Sequence, residues 1–306
     1  MIFDFCMTTN IFFHKAIEMK ILTKKNLIRL IIFGFVMWLL GSYVGSRIAT
    51  RTHPQAIPPA SNYFTQVVEN QSFKSYDEIE ISSWFIPKAD SKKAVIILNG
   101  IGGNRLNLVP RAKFYQQNNY NVLLPDLRGT GESGGDVITF GWKERFDFLA
   151  GVNFLKEKGI DTIAVHGLSL GAATIVYSFQ ENTDYDFVVL ESCYDNITNA
   201  LNHRVDRIPL PSFIYFPLTK FTEMRVGATQ EELSPEKYIH LCEAPTFILA
   251  GDSERKVLPE ETQKLFDKCG AKTKQLHFFK GAYHEDFMRR FGEEWKVEMQ
   301  NWLDKF

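Results

Sequence analysis

The sequence predicts an α/β protein in which a mostly parallel sheet is covered by helices on both faces. Continuous apolar runs alternate with longer amphipathic segments, and strands buried on both faces have this continuous apolar character. Six runs are predicted to be such strands, at residues 93–100, 120–126, 161–167, 186–192, 244–251 and 274–281. Residues 78–87 alternate between apolar and polar side chains, which indicates an earlier, half-exposed strand.

Helices are predicted between these strands. Residues 108–118 suit a helix with Pro110 in its first turn, where the missing N–H is not needed. Residues 140–159 place apolar side chains on one face and end at Gly159. Since such connections join parallel strands, we expect right-handed crossovers.

An uncharged apolar run at residues 30–46 would form a helix of about 26 Å at roughly 1.5 Å per residue. The hydrocarbon core of a bilayer is about 30 Å thick, so flanking residues such as Ile28 extend the run while Arg29 reaches the interface. We predict a membrane anchor here. A cleaved signal peptide and a buried core helix are the alternatives, and no A-x-A cleavage site follows the run.

Basic residues are distributed unequally around this run. Its amino-terminal flank carries Lys15, Lys20, Lys24, Lys25 and Arg29, and its other flank carries Arg47 and Arg51. The bias predicts a cytoplasmic N-terminus and a large domain on the other side of the membrane. Residues 1–50 are therefore predicted to be a basic segment and anchor, with Met19 as an alternative start. Residues 51–62 are predicted to be a stiff proline-rich linker, and residues 63–306 the large domain.

Composition excludes several classes of function. The formal net charge of −1 and the lack of a basic patch argue against a nucleic-acid partner. The four cysteines are scattered, and neither a C-x-x-C nor an H-E-x-x-H spacing indicates a metal site. Residues 99–105 are glycine-rich but lack a nucleotide-binding pattern. We expect neither a metal nor an organic cofactor.

A serine between two glycines follows the third of the six apolar runs, as Gly167-Leu168-Ser169-Leu170-Gly171. Such a sharp turn between a strand and a helix exposes a serine hydroxyl, and bulky neighbours would clash there. The alternative is a tight turn whose serine only caps the following helix. Ser169 is therefore a candidate nucleophile.

An acid and a histidine follow the last two predicted strands. Glu254 or Asp252 comes after the strand at 244–251, and His284 starts the last helix beyond the final strand. Ligands of open α/β sheets bind beyond the carboxyl ends of the strands, so these side chains should meet Ser169. The imidazole of His284 can take the serine proton, and a carboxylate on the other ring nitrogen fixes its tautomer.

With these motifs in this order, the sequence resembles the α/β-hydrolase superfamily over about residues 79–306. It is most similar to microbial serine hydrolases in which an oxyanion strand, a D-x-R-G-x-G-x-S loop and the serine turn follow one another. Here Asn99-Gly100 ends the oxyanion strand, where many members have His-Gly, and residues 126–133 form the loop. The resemblance implies an α/β-hydrolase fold with a mostly parallel eight-stranded sheet and a lid insertion. The loop is expected to be structural.

The same resemblance assigns site residues. The family's G-x-x-D-x-x-V pattern after the acid strand puts the acid at Glu254 and keeps Val257, with Asp252 as the alternative acid. The family's oxyanion hole uses two backbone N–H groups, which here would be those of Ile101 and Leu170.

Residues 195–238 interrupt the alternation of strands and helices. The stretch at 207–218 mixes prolines with large apolar residues and suits neither a sheet strand nor a regular helix. A connection this long in a compact domain is usually functional, so we predict a lid over the site. An irregular surface connection is the alternative.

The function predicted is hydrolysis of a carboxylic ester through a Ser-His-acid triad and an acyl-enzyme. The substrate would be a small acyl ester or a peptide. A peptidase or a thioesterase would use the same machinery, and acidic residues of the lid leave a peptidase open. A non-catalytic binding module on a hydrolase scaffold is the alternative from a different class.

Overall fold

The computed structural model describes residues 24–181, 184–205 and 211–306. The first part of the predicted basic segment, with Lys15, Lys20 and the alternative start at Met19, lies outside the described residues.

An eight-stranded sheet in the order β10-β9-β8-β7-β4-β5-β3-β2 forms the centre of the molecule. Strands β2 and β3 pair antiparallel with their neighbours, and the other pairs are parallel, so the prediction of a mostly parallel sheet is confirmed. The strands are β2 Glu69–Lys74, β3 Glu80–Ile86, β4 Lys93–Leu98, β5 Asn121–Pro125, β7 Thr162–Leu168, β8 Val188–Glu191, β9 Thr246–Gly251 and β10 Lys274–Phe279. A separate short pair joins β1 His53–Pro54 to β6 Thr130–Gly131.

Helices cover both faces of the sheet. The α-helices of the described residues are α1 Lys24–Ala49, α2 Val109–Gln117, α3 Glu144–Glu157, α4 Leu170–Ser178, α5 Ile197–Val205, α6 Phe216–Val226, α7 Pro259–Lys268, α8 Phe287–Arg290 and α9 Gly292–Leu303. Alternate side chains of β4 belong to two different hydrophobic cores. Ile96 belongs to the core that includes residues of α3, α4 and α7. Val95 and Ile97 belong to the core that includes residues of α2 and α9. This division follows from the two-residue period of a strand.

Strand β2 has no counterpart among the sequence-based predictions. Its residues, Glu69 to Lys74, are mostly polar and alternate between half-buried and exposed positions at the edge of the sheet. One face of an edge strand meets solvent, so the apolar signal on which strand prediction depends is weak here.

Helix α1 contains the predicted anchor run. An 18-residue window of α1 has a mean hydropathy of 2.0, so the helix is long and apolar enough to cross a membrane, as a signal sequence also would be. The segment after it, predicted to be a stiff linker, packs on the large domain: β1 pairs with β6, and Gln55 accepts a hydrogen bond from the Asn104 amide at 2.8 Å.

The region predicted to be a lid, residues 195–238, contains helices α5 and α6, and residues 206–210 within it lie outside the described residues. Pro217 is compatible with a helix here, because it lies in the first turn of α6, where no N–H is required. Helix α6 packs along α1, and the Trp38 indole donates to the Ile214 carbonyl at 2.8 Å.

Candidate active site

The candidate site lies where the order of strands in the sheet reverses. From β4 the chain adds β5 on one side and then returns to place β7 on the other, so the carboxyl ends of β4 and β7 are neighbours. Asn99 and Gly100 follow β4, and Ser169 follows β7. Such a switch point is where open α/β sheets bind ligands.

Ser169 occupies a strained turn between β7 and α4. Its φ of 50° and ψ of −107° lie in a region that residues other than glycine rarely adopt. The flanking glycines are required by space: a Cβ on Gly167 would lie 2.5 Å from the backbone of Gly171, and one on Gly171 would lie 2.6 Å from the Leu98 carbonyl oxygen. The turn therefore presents the Ser169 hydroxyl at the start of the helix.

A chain of hydrogen bonds joins Ser169, His284 and Glu254. The Ser169 Oγ is 3.0 Å from the His284 Nε2, and the His284 Nδ1 is hydrogen-bonded to the Glu254 Oε1. Glu254 is buried and His284 is half-buried. The three residues predicted from the sequence therefore meet at the carboxyl edge of the sheet.

His284 lies in the connection between β10 and α8 rather than at the start of the last helix. Asp286 caps α8, and its side chain accepts a hydrogen bond from the Arg289 N–H. His284 precedes α8 by three residues and the last helix, α9, by eight, so its sequence-based placement at the start of the last helix was wrong. The loop position lets the imidazole turn toward Ser169 without the constraint of a helical backbone.

Asp252, the alternative acid, has other partners. Its Oδ1 accepts from the Gly281 N–H at 2.6 Å and from the Ser253 hydroxyl at 2.9 Å. These bonds tie the loop after β9 to the loop after β10. Of the two acids, the structure brings Glu254 to His284.

The proposed oxyanion donors flank the serine. Leu170 is the first residue of α4, so its N–H has no partner within that helix. A Cβ on Gly100 would lie 3.5 Å from the Ser169 Cβ, which puts the neighbouring Ile101 close to the nucleophile. Ile101, Ser169 and His284 line one cleft of about 350 Å³.

Comparison with known families and proteins gives a consistent result. A family model described as serine aminopeptidase, S33 (Hydrolase_4), matches residues 222–288. The uncharacterized protein YqkD of Bacillus subtilis is 26% identical over 253 residues, which cover 76% of this chain and 82% of that protein. A carboxylesterase of the same organism is 22% identical and covers 63% of this chain and 84% of its own length.

Solved structures share the fold. The esterase Pf2001 of Pyrococcus furiosus is 25% identical, with a TM-score of 0.70 over 84% of this chain and 98% of its own. A monoacylglycerol lipase of Paleococcus ferrophilus is 20% identical, with a TM-score of 0.53 over 78% of this chain and 98% of its own.

The chain is a hydrolase with the α/β-hydrolase fold. The comparisons support an esterase among the hydrolases of this fold.

Ser192 is a residue of the hydrolase cleft that sequence reasoning missed. It follows β8, has a φ of 48°, and its hydroxyl donates to the Glu254 Oε2 at 3.1 Å. The glutamate is thus held from both oxygens. Its position directly after a buried strand, like that of Ser169, is the signal that could have identified it.

A buried ionic cluster lies beside the site of this hydrolase and was also not predicted. Glu191, at the end of β8, is bound by Arg111 at 2.7 Å, by the His166 Nε2 at 2.8 Å and by the Trp295 indole at 2.9 Å. Burial alone raises the pKa of Glu191, but the Arg111 charge and His166 outweigh it and hold that pKa well below its ordinary value. Burial lowers the pKa of His166, which favours the neutral imidazole.

The loop at residues 126–133 is bound both internally and to neighbouring segments. Asp126 is fully buried and pairs with Arg105 at 2.7 Å, and Arg128 pairs with the buried Asp147 at 2.6 Å. The Ser133 hydroxyl donates to the Asp126 carbonyl at 2.6 Å. These bonds agree with the structural role expected for the loop, because they support the oxyanion segment through Arg105.

Proposed function

We propose that this hydrolase cleaves carboxylic esters with Ser169 as nucleophile, His284 as general base and Glu254 as the acid of a catalytic triad. The observation that carries the proposal is the hydrogen-bond chain from Ser169 through His284 to Glu254. Ser169 and His284 line an open cleft, and Glu254 is buried behind them. A carboxylate on the Nδ1 side leaves the Nε2 of the neutral imidazole free to accept the serine proton.

The reaction proceeds in two displacement steps. The Ser169 Oγ attacks the carbonyl carbon while His284 takes its proton, and the backbone N–H groups of Ile101 and Leu170 stabilise the oxyanion. The imidazolium then gives that proton to the leaving alcohol as the C–O bond breaks. Water repeats the sequence on the acyl-enzyme: His284 takes its proton, the acid product leaves, and Ser169 regains its hydrogen.

An aminopeptidase is the second candidate, and one observation favours it. The carboxylates of Glu285 and Asp286 line the cleft beside His284, where they could bind a substrate ammonium group. Each has a cationic partner, however, because Asp286 pairs with Arg111 at 2.9 Å and Glu285 pairs with Arg290. This pairing reduces their value for an amine, and the esterase relatives favour the ester. A thioester would use the same steps.

The chain arrangement that we propose has α1 as a single membrane span. The N-terminus lies in the cytoplasm and the hydrolase domain on the opposite side, since basic residues are concentrated before the apolar run. We also propose that residues 195–238 act as a lid. Their helices α5 and α6 line a cavity of about 300 Å³ together with Phe140, and this cavity is separate from the cleft that Ser169 and His284 line.

The first test is labelling of the full chain with a fluorophosphonate. The native protein should be labelled in membranes, and Ser169→Ala should not be. A second serine of the same cleft gives the matched control, because Ser192→Ala should still be labelled. A folded native protein that reacts no faster than Ser169→Ala contradicts the triad and favours a binding module.

The second test compares an ester substrate with an aminopeptidase substrate. Acyl esters of p-nitrophenol should be hydrolysed with a higher kcat/KM than aminoacyl p-nitroanilides with a free amine. The reverse order, together with a loss of anilide hydrolysis in Glu285→Gln, would identify an aminopeptidase. Comparable rates on an acyl thioester would extend the class without changing the triad.

A further inference from the structure

Helix α1 is in contact with the lid along only part of its length. Residues 24–37 are exposed, and the Trp38 indole bonds to Ile214 of the described part of the lid. Further along, the rings of Tyr43 and Phe221 meet edge to face with centroids 5.7 Å apart. The carboxyl-terminal part of the apolar run therefore packs on the lid. The side chains from Leu27 to Met37, which we call the free part, are exposed among the described residues.

The free part is too short to cross a membrane alone. From Leu27 to Met37 it spans about 17 Å at roughly 1.5 Å per residue, against a hydrocarbon core of about 30 Å. Charges at Lys24 and Lys25 limit its extension on the amino-terminal side, and the charge of Arg29 lies within it. If α1 spans the bilayer, the part that contacts the lid must also lie within the membrane, and the adjoining lid surface must enter with it.

The polarity of the lid side chains changes along α1 as this arrangement requires, from apolar at the Trp38 end to charged toward Thr50. Helices α1 and α6 run side by side in the same direction: Ile214 lies beside Trp38, and Arg225 donates to the Thr50 hydroxyl at 2.9 Å. At the Trp38 end the lid exposes two large apolar side chains, Phe213 at 66% and Phe216 at 60%.

The first charged side chains of α6 and of α1 after the apolar run lie at the same level along the two helices. The first charged side chain of α6 is Lys220, and the first of α1 after the apolar run is Arg47. The two helices touch where Leu218 lies 3.1 Å from the position of a Cβ on Gly45. Lys220 follows Leu218 by two residues, and Arg47 follows Gly45 by two residues. Long cationic side chains at one depth are typical of a membrane–water interface.

We propose that the surface formed by Phe213 and Phe216 is inserted into the hydrocarbon of the bilayer, with Lys220 and Arg47 at the interface. The partner of this lid surface is the lipid itself. An aqueous setting would leave two aromatic side chains exposed next to an apolar helix, whereas a bilayer covers all of them. The inference rests on the proposed membrane span of α1 and is independent of the triad.

The test measures depth with a fluorescent label on single cysteines. The full chain with Cys6→Ser is reconstituted in phosphatidylcholine–phosphatidylglycerol vesicles. The other cysteines, Cys193, Cys242 and Cys269, are buried. A bimane is attached at Phe216→Cys, and emission is compared in vesicles with and without lipids that carry a doxyl quencher on the acyl chain. Near-ultraviolet circular dichroism checks that each variant is folded.

Three further positions serve as references. Phe33→Cys, on the free part of α1, reports the span itself. Met224→Cys is the matched control, because it is exposed on the same lid helix about two turns closer to the Thr50 end. Val297→Cys is exposed on α9, far from α1 in sequence, and gives the value for an aqueous surface.

The outcomes distinguish the membrane span of α1 from the insertion of the lid surface. We expect strong acyl-chain quenching at Phe33 and Phe216 and quenching at Met224 close to that at Val297. Strong quenching at Phe33 with none at Phe216 would overturn the inserted lid while the span stands. Absence of quenching at Phe33 would overturn the span and the inserted lid together. Equal quenching at Phe216, Met224 and Val297 would indicate general adsorption and would also overturn the proposal.

Discussion

Two of the histidine–glutamate pairs in the described part of the hydrolase differ in their surroundings. In one, His284 bonds to Glu254 after the last two strands of the sheet. In the other, His166 on β7 bonds to Glu191 at the end of β8 at 2.8 Å. Both glutamates are buried, so the difference lies in what each imidazole reaches with its second nitrogen.

The second nitrogen of His284 reaches Ser169 in an open cleft, whereas that of His166 reaches the buried Tyr115 hydroxyl at 3.0 Å. Burial raises the pKa of Tyr115 well above its ordinary value, so this phenol keeps its proton. Arg111 also compensates the Glu191 charge, while Glu254 has the Ser192 hydroxyl as its further partner. The same pair of residue types is suited to proton transfer in one setting and to structural support in the other.

The comparison predicts that the largest difference in kcat lies between substitutions of the two histidines. His284→Gln should lower kcat for an ester by about 10⁵-fold or more, because the serine loses its base. His166→Gln should keep kcat close to that of the native enzyme once the folded fraction is taken into account. Steady-state kinetics on a p-nitrophenyl ester measures both.

A loss in His166→Gln as large as that in His284→Gln, in a protein with native circular dichroism, would contradict the assignment of roles. His166 would then be part of the proton path.

The next largest difference in kcat is expected between variants of the two acids, Glu254 and Asp252. Glu254→Gln should lower kcat by about 10³- to 10⁴-fold, because an amide stabilises neither the required tautomer nor the imidazolium. Asp252→Asn should have little effect, since Asp252 bonds to Gly281 and Ser253. If the two variants exchange these results in kcat measurements, Asp252 is the acid of the triad.

The third effect concerns stability rather than rate. Glu191→Gln should lower the free energy of unfolding by about 3 kcal/mol, because it leaves the buried Arg111 without its main counter-charge. Urea denaturation of the native and variant proteins measures the difference. Glu254→Gln is the control, and a larger loss of stability in this control would reverse the comparison.

The central strands of the fold are predictable because both of their faces are buried. Strand β4 falls within the apolar run predicted at 93–100, and β9 within the run at 244–251. Strand β2 is not predictable in this way, since an edge strand exposes half of its side chains. The contact of α1 with the lid also carries no local signal, because any two apolar segments could pair.

Within the site, Ser169, Glu254 and His284 are predictable because each follows a strand end, and parallel strands bring such positions together. The sequence favours Glu254 and leaves Asp252 as the alternative acid, since both are close enough in sequence, and the structure brings Glu254 to His284. Arg111 lies within a helix, and an isolated arginine does not indicate a buried ion pair. Its partner Glu191 is about eighty residues away, so only the packing of α2 on the sheet joins them.

Ser192 provides a smaller test of how Glu254 is held. Ser192→Ala should lower kcat/KM by about tenfold or less, corresponding to the loss of one hydrogen bond to a carboxylate near 1.4 kcal/mol. The Glu254→Gln variant serves as the reference, because Ser192→Ala should have little further effect in its background. Fully additive losses in kcat/KM would show that Ser192 acts independently of Glu254.

The smallest expected effect is a pH dependence of stability that arises from His166. Its pKa is lowered by burial in the folded protein, so between that pKa and about 6.5 the unfolded chain binds the proton more readily. Stability therefore rises with pH through this window and is lost as the pH falls below about 6.5, by at most about 1.4 kcal/mol per pH unit for one proton. Urea denaturation at pH values from 5 to 8, in the native protein and in His166→Gln, measures this slope. The variant should have the flatter profile, and identical profiles would mean that folding does not change the pKa of His166.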